Sequence, residues 1–461
     1  GDLFPGIRGI AVDENWHFEH ERLAVDAGDL PAGAAILVSD GEGRPIAWRH
    51  RRGAGKVVFW NTGVLATRAL RGFGVQSVLA TMRAGVAALG GFAMFHVDDF
   101  PPSIAATRAE PLATEFPGLD WTGFAFDVWQ RDIRELAARH GIRCTWYAVM
   151  DYNDVDNRGE AGRPPWTAAD GERVLAQRFA RIGSDLREDE YGFHGYNHDP
   201  VTADAWPDLE LLRTKLEQAR RFWQNNVPAP LPTSWVPANN WYGPQHVRVL
   251  RDVFPEIETV CGLYSIGDAS LGEFRDFGPE PWEPALLCLP RETYGYVRTP
   301  AVAMQMLSQI AGMGVWSHFI HPDDVIDVPT AGAGASYCRN ADRRMWRAVN
   351  ADGRPGLLAE LDRWLAEVRS MFPWLAFLTT SQAVAAYRVH VGKAVSVFVS
   401  EDRVRITASA PGLFSIRLDG GLRVESRDGC EIVSRLDGDG YAIVVVRCTN
   451  AAAELEIASS A

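Results

Sequence analysis

The chain has no apolar run near the roughly 18 residues that a membrane-spanning helix needs, so no span is expected. It also lacks a lysine and arginine cluster: 46 basic residues stand against 59 acidic ones, for a net charge of -13. A nucleic-acid partner is therefore not expected. An acidic body suits a neutral or cationic substrate, and it also simply keeps a protein in solution. Cysteine is scarce, six in 461 residues, and no two form C-x-x-C, which argues against a structural zinc knuckle. Cys430 and Cys448 lie in neighbouring strand-like segments, where they either pair across a sheet or stay as small buried thiols. No G-x-G-x-x-G follows a strand, so no dinucleotide site is assigned. Internal repeats and low-complexity tracts are missing as well.

What is present reads as α/β, with two to four domains for this length. Within residues 1–90, Ala34–Ser39 and Lys56–Trp60 look like short buried strands. Val75–Leu89 has helical spacing and stops at Gly90-Gly91, which together suggest a partial Rossmann- or flavodoxin-like layer. Residues 91–390 alternate strand and helix. The strands are read at Phe92–Val97, Ile142–Met150, Tyr191–His194, Ser234–Ala238, Glu258–Tyr264, Ala285–Leu289, Gly314–His321 and Leu375–Thr379. Amphipathic helices such as Leu209–Gln224 and Leu357–Ser370 separate them, as in a parallel sheet covered by helices. Seven or eight such units predict a (β/α) barrel, whose chemistry sits at the C-terminal ends of its strands. Residues 391–461 switch to a period of two and read as a small β-sandwich. The Gly/Ala stretch Ala331–Ala335 reads as a loop at the barrel mouth.

Three motifs fall at predicted strand ends. Asp98-Asp99 ends an apolar strand and is stopped by Pro101-Pro102. Two adjacent carboxylates stay ionised only if a cation or donor sits beside them. His194 and His198 have the spacing that puts both imidazoles on one face of a helical turn. Two histidines and one carboxylate make a three-ligand set for catalytic zinc. Trp316 to Asp324 holds His318 and His321, which alternation places on opposite faces; His321 is nearer the barrel mouth. Singly, each motif reads equally as a turn, a loop or a core histidine. Together they offer a metal set (Asp99, His194, His198), a free carboxylate (Asp98) and a proton donor (His321, with His318 in reserve) for metal-assisted acyl transfer.

These motifs resemble those of the NodB-type polysaccharide deacetylases, carbohydrate esterase family four, over residues 91–390. Asp98-Asp99, His194/His198 and Ile320-His321 occur in the family's order, and Arg134–Met150 resembles its second unit. The resemblance implies de-N-acetylation of an N-acetylhexosamine polymer. One divalent metal, expected to be zinc, would be held by Asp99, His194 and His198, with Asp98 as base and His321 as acid. The chain departs from the family in having His96 where threonine is usual and in lacking an evident arginine motif, whose place Pro237–Gly243 could take. It is similar in these departures, and in its flanking regions, to the PelA and galactosaminogalactan deacetylase family, carbohydrate esterase family eighteen. That likeness implies an N-acetylgalactosamine-rich exopolysaccharide, a periplasmic or secreted location, and export or synthesis partners. His321-Pro322-Asp323-Asp324 also resembles the metal motif of PIG-L/LmbE-type deacetylases, with His321 and Asp324 as ligands. Asn240, Trp241, Tyr242, Tyr196 and Trp316 lie near the motifs and are candidates for sugar contact, although aromatics more often pack cores. The competing classes are a non-catalytic glycan-binding module on this fold and a metal-dependent hydrolase of another amide or ester.

Overall fold

The computed structural model of the chain describes residues 3–11, 22–63, 65, 67–152, 168–182, 188–262, 275–326 and 339–459. Strands β1 (Ala35–Ser39), β2 (Pro45–Arg52) and β3 (Gly55–Trp60) form a small antiparallel sheet, with Gly53 at φ 60° in the tight β2–β3 turn. The two strands read from the sequence are thus present, but in an antiparallel meander and not in a parallel layer. The intervening strand β2 ends in Arg49-His50-Arg51-Arg52, and that charge hid it. Helix α1 (Arg71–Leu79) and strand β4 (Ala84–Leu89) follow, where the sequence predicted one helix over Val75–Leu89.

The central region runs β5 (Phe92–Phe100), the short helices α2 (Leu112–Glu115) and α3 (Trp121–Gly123), α4 (Gln130–His140), β6 (Cys144–Val149) and α5 (Ala168–Ile182). It continues with β7 (Glu190–Gly195), α6 (Leu209–Asn226), β8 (Ser234–Trp235), α7 (Pro244–Val253), β9 (Thr259–Val260), β10 (Gly278–Pro279), β11 (Leu287–Cys288) and β12 (Thr293–Tyr294). Helix α8 (Pro300–Met313), β13 (Val315–Ile320), α9 (Leu357–Met371), β14 (Ala376–Leu378) and α10 (Thr380–Val391) complete it. The strands join in one sheet, ordered β10-β11-β9-β8-β7-β6-β5-β13-β12, with β14 also on β5. Every pairing is parallel except β10 with β11. Among the described residues the sheet curls as a half-barrel and does not close.

Strand β5 holds the middle of this sheet, and all nine of its residues are buried. A parallel strand covered on both faces needs that apolar run. The helices are delimited by local chemistry. The Asp208 carboxylate accepts the Glu210 and Leu211 N–H groups at the start of α6. Helix α8 has Thr299 as its N-cap and Pro300 in its first turn, and it ends at Gly314 (φ 64°) before feeding β13. None of the helices is long and apolar enough to cross a membrane among the described residues.

The C-terminal strands are β15 (Val395–Val399), β16 (Arg403–Ala408), β17 (Gly412–Asp419), β18 (Leu422–Asp428), β19 (Cys430–Gly438), β20 (Tyr441–Cys448) and β21 (Ala452–Ser459). They build two four-stranded sheets, β15-β16-β21-β18 and β19-β20-β17-β4. Strand β4 therefore comes from far upstream and pairs antiparallel with β17, Leu89 opposite Leu413 and Ala84 opposite Leu418. Its Gly85 sits where a Cβ would come within 2.8 Å of the Leu79 backbone, so the strand can fold back on the end of α1. Cys430 and Cys448 stand opposite each other across β19 and β20, yet both are free thiols. Burial pushes the Cys448 thiol up to about 11. Cys338 and Ala331–Ala335 lie outside the described residues.

Helices α1 and α8 cross at two glycines. A Cβ on Gly72 would lie 1.7 Å from the Ser308 carbonyl oxygen, and one on Gly312 would lie 2.6 Å from Gly72 Cα. A Gly72→Val substitution should force the helices apart and destabilise the protein by at least about 1–3 kcal/mol. Urea denaturation measures this, and a loss below about 0.5 kcal/mol would show that the crossing is not tight.

Candidate metal and catalytic site

Two irregularities in the parallel sheet create the site. Against β6, Val97 pairs with Trp146 but Phe100 pairs with Ala148, so β5 carries one extra residue at Asp98-Asp99. Between β6 and β7, Ala148 pairs with Phe193 and Val149 with Gly195, so β7 carries its extra residue at His194. A bulge re-aims side chains that would otherwise alternate between faces. The backbone bends with it: Asp99 has φ 58°, and His198, after Gly195 at φ 115°, has φ 64°. Asn239 and Asn240 follow at φ 54° and 61°. Four of the five non-glycine residues with positive φ among the described residues thus surround this rim, where strain is held by the surrounding fold.

Asp99, His194 and His198 converge. Asp99 Oδ1 lies 3.3 Å from His194 Nε2 and 2.9 Å from His198 Nε2, and one donor atom from each residue lies within 4.8 Å of the others. His194 places Nδ1 2.8 Å from the Val236 carbonyl oxygen. Donation of the Nδ1 hydrogen there leaves a lone pair on Nε2. Asp99 Oδ1 and His194 Nε2 are both buried without a hydrogen-bond partner. Two buried lone-pair atoms facing each other call for a cation, and a carboxylate with two imidazoles suits a divalent metal with open positions. The Asp99 carboxyl is held well below its usual range: burial opposes ionisation, but His198 and His194 outweigh it. The two imidazoles meet through the strained turn at Gly195 and His198, and not through the helical turn that their spacing suggested.

Asp98 points to different partners. It is 1% exposed and ion-pairs with Arg291, Nη1 to Oδ2 at 2.5 Å. Burial raises its pKa, but the Arg291 charge and the neighbouring histidines bring it below the ordinary value. Asp98 is therefore an ionised carboxylate. Arg291 also donates to Asn240 Oδ1 at 2.7 Å and lies over the Phe319 ring at 3.7 Å. The sequence showed no arginine motif and offered Pro237–Gly243 in its place. That segment instead supplies Asn240, which holds the guanidinium from the side. Arg291 lies just past β11, in Leu289-Pro290-Arg291, so the strand-end rule applied there would have found it.

His321 Nε2 lies 3.6 Å from Asp98 Oδ2. Its Nδ1 is 3.2 Å from Asp324 Oδ2, and that oxygen also accepts the His321 backbone N–H at 2.9 Å. Burial alone would lower the imidazole pKa, but Asp324 raises it to about 9, so His321 is a protonated donor at neutral pH. His318 is not a reserve acid. It is fully buried, with Nδ1 3.0 Å from Thr293 Oγ1 and Nε2 2.9 Å from the Gly295 carbonyl oxygen. Burial lowers its pKa to about 3 and keeps it neutral. His321, Asp323 and Asp324 also converge within 4.8 Å. Here, however, Asp324 already serves His321, and Asp323 pairs with Arg339 at 2.7 Å.

Three of the aromatic candidates for sugar contact are core residues. Trp316 is fully buried against Trp364 and Phe377 and donates its indole N–H to Thr293. Tyr242 is 1% exposed and donates to Glu280, which is itself paired with Arg275. Tyr196 is 3% exposed, and its hydroxyl accepts from Gln218. Strand alternation could not show which side of each ring the helices cover. Only Trp241 of the four is partly exposed.

Arg291→Gln should remove the countercharge of a buried carboxylate. The expected loss is about 3–5 kcal/mol in denaturant unfolding at neutral pH, shrinking at acid pH as Asp98 becomes protonated. An unchanged midpoint at neutral pH would mean that Asp98 is stabilised elsewhere.

Comparison with solved structures finds loose overlaps. Proteins from Mycobacterium smegmatis and Bordetella bronchiseptica, both provisionally named as polysaccharide deacetylases, are 16% and 14% identical. Their matches cover 65% and 60% of this chain and 90% and 91% of theirs, with TM-scores of 0.37 and 0.30. A family 4 acetyl xylan esterase from Clostridium thermocellum, in complex with cobalt, is 9% identical, with 64% and 90% covered and a TM-score of 0.29. Overlap this loose carries no activity from those proteins to this one. No curated protein matches the chain. A family profile matches residues 13–434, and on that match the chain belongs to the family described as "Uncharacterised protein conserved in bacteria (DUF2194)".

Proposed function

We propose that the protein is a metal-dependent deacetylase that hydrolyses the acetamide of an N-acetylhexosamine polymer. The observation that carries this reading is the convergence on one rim of an orphaned Asp99/His194/His198 donor set, an ionised Asp98 and a protonated His321. A divalent metal on the donor set, zinc being the expected one, would supply a Lewis acid for the acetamide carbonyl and for the attacking water. Asp98, kept ionised by Arg291, takes a proton from that water. Asp98 and His321 lie 3.6 Å apart, a spacing that supports their serving one amide as base and acid. His321, turned by Asp324, gives its proton to the departing nitrogen as the C–N bond breaks. Water and amide thereby become acetate and a free amino sugar.

The narrower substrate, an N-acetylgalactosamine-rich exopolysaccharide of the Pel type, rests on the sequence resemblance. So do a periplasmic or secreted location and export or synthesis partners. Trp241, partly exposed beside Asn240, is the sugar-stacking candidate that burial leaves available.

The test is acetate and free-amine release from oligomers of N-acetylgalactosamine and of N-acetylglucosamine. The zinc-loaded protein should release both products from at least one oligomer, and chelation should stop it. Asp98→Asn should lower kcat by about 10²–10⁴-fold while zinc binding persists. No acetate from either oligomer, with zinc, cobalt or manganese present, would sink the proposal.

The acid also has a pH signature. His321 carries its proton below about pH 9 and loses it as pH rises through that value, so activity should fall on an alkaline limb near pH 9. Asp324→Asn removes the attraction that holds the proton and should move the limb toward the ordinary histidine range, about 6.5. A pH–rate profile that Asp324→Asn leaves in place would assign the limb to another group.

A further inference from the structure

Beyond β6, the chain continues through Met150 and Asp151 to Tyr152. The Met150 and Asp151 N–H groups donate to the Gly195 and Tyr196 carbonyl oxygens at 3.3 and 2.7 Å. Tyr152 is thereby fixed to the same bulged segment that carries His194 and His198. Its ring lies along His198, with centroids 6.0 Å apart and planes 29° apart. Its hydroxyl is buried close to the Asp99 carboxylate but makes no well-formed hydrogen bond in the protein. A phenol carries its hydrogen at neutral pH, so the hydroxyl is a donor.

Arg178, on α5, lies behind this ring with its guanidinium carbon 5.3 Å from the ring centroid. The residue is 0% exposed, and Nε, Nη1 and Nη2 all lack a hydrogen-bond partner. A buried guanidinium without hydrogen bonds is costly, and the aromatic face and the charge of the nearby buried Asp151 compensate only in part. The remainder of its field falls on the phenol and favours negative charge at the far end of the ring. Of the other donors described at this rim, Arg291 is held by Asp98 and Asn240 and His194 Nδ1 by Val236, while the His321 proton is assigned to the departing nitrogen.

We infer that Tyr152 is a further catalytic residue of this site: its hydroxyl donates a hydrogen bond to the acetamide oxygen as that oxygen gains negative charge. Arg178, a positioning residue behind the ring, strengthens the donation. The inference rests on the deacetylase reading. It gives Tyr152 the work of an oxyanion-hole donor, an interaction stronger in the transition state than in the ground state. No bond to Tyr152 forms or breaks, and the phenol keeps its proton throughout.

Tyr152→Phe removes one oxygen and keeps the ring against His198. Zinc-loaded wild type and variant are compared in kcat, in KM, in zinc dissociation constant by competition with a chelating dye, and in affinity for a methylphosphonamidate mimic of the tetrahedral adduct. The expected result is a fall of about 10²–10³-fold in kcat and a similar loss of affinity for the mimic, with KM and zinc affinity within about twofold. Unchanged kcat and mimic affinity would overturn the inference. So would a zinc affinity that falls in step with kcat, because the phenol would then be holding the metal set. Arg178→Met supplies the second arm. With Tyr152 left in place, kcat should fall about tenfold while KM and zinc affinity stay within about twofold, and an unchanged kcat would overturn the role of Arg178. If wild type with zinc releases no acetate, both the deacetylase reading and this inference fall. If wild type releases acetate and Tyr152→Phe does so equally, only this inference falls.

Discussion

Two adjacent carboxylates buried on one strand are the constraint around which the rest of the site is arranged. Asp98 and Asp99 are 1% and 7% exposed, and two negative charges so close cannot both persist in a protein interior without separate compensation. The fold separates them. The bulge in β5 and the positive φ at Asp99 turn one carboxylate toward Arg291 and the other toward His194 and His198. Each acid then has its own positive partner, and each is biased toward ionisation although burial opposes it. Without the bulge, strand alternation would send the two side chains to opposite faces and leave one of them in an apolar layer.

The same logic recurs one layer out. Arg291 is itself buried and is held by Asp98, Asn240 and the Phe319 ring. His321 is held by Asp324, and Tyr242 by the buried Arg275–Glu280 pair. These contacts fix the tautomers, charges and orientations of the rim before any ligand arrives, the preorganisation on which electrostatic catalysis depends. At Tyr152 and Arg178 the side-chain polar atoms are all buried without a well-formed hydrogen bond.

Much of the central region was legible because its signals are local. A short, mostly apolar run such as Phe92–Val97, ended by Asp98-Asp99 and two prolines, reads as a strand covered on both faces, and helices such as Leu209–Asn226 carry their own caps and periodicity. Elements whose identity depends on a distant partner were not legible. Ala84–Leu89 is a strand because Gly412–Asp419, over 300 residues away, pairs with it; locally it extends a helical pattern. Strand β2 was hidden by its charged end, and Trp316 and Tyr242 stayed open as sugar-contact candidates because burial of a ring is a property of the packed whole.

The sequence by itself determined which chemical groups stand at the ends of the parallel strands, because apolar runs and their polar terminators are written in consecutive residues. It therefore determined the candidates Asp98, Asp99, His194, His198 and His321. Only the tertiary structure decided which of them meet and in what state of charge. Arg291 faces Asp98 across 193 positions of chain, and Asp324 raises His321 while burial silences His318. Burial and charge pairing are set by all the elements that converge on a point, and no single stretch of sequence contains them.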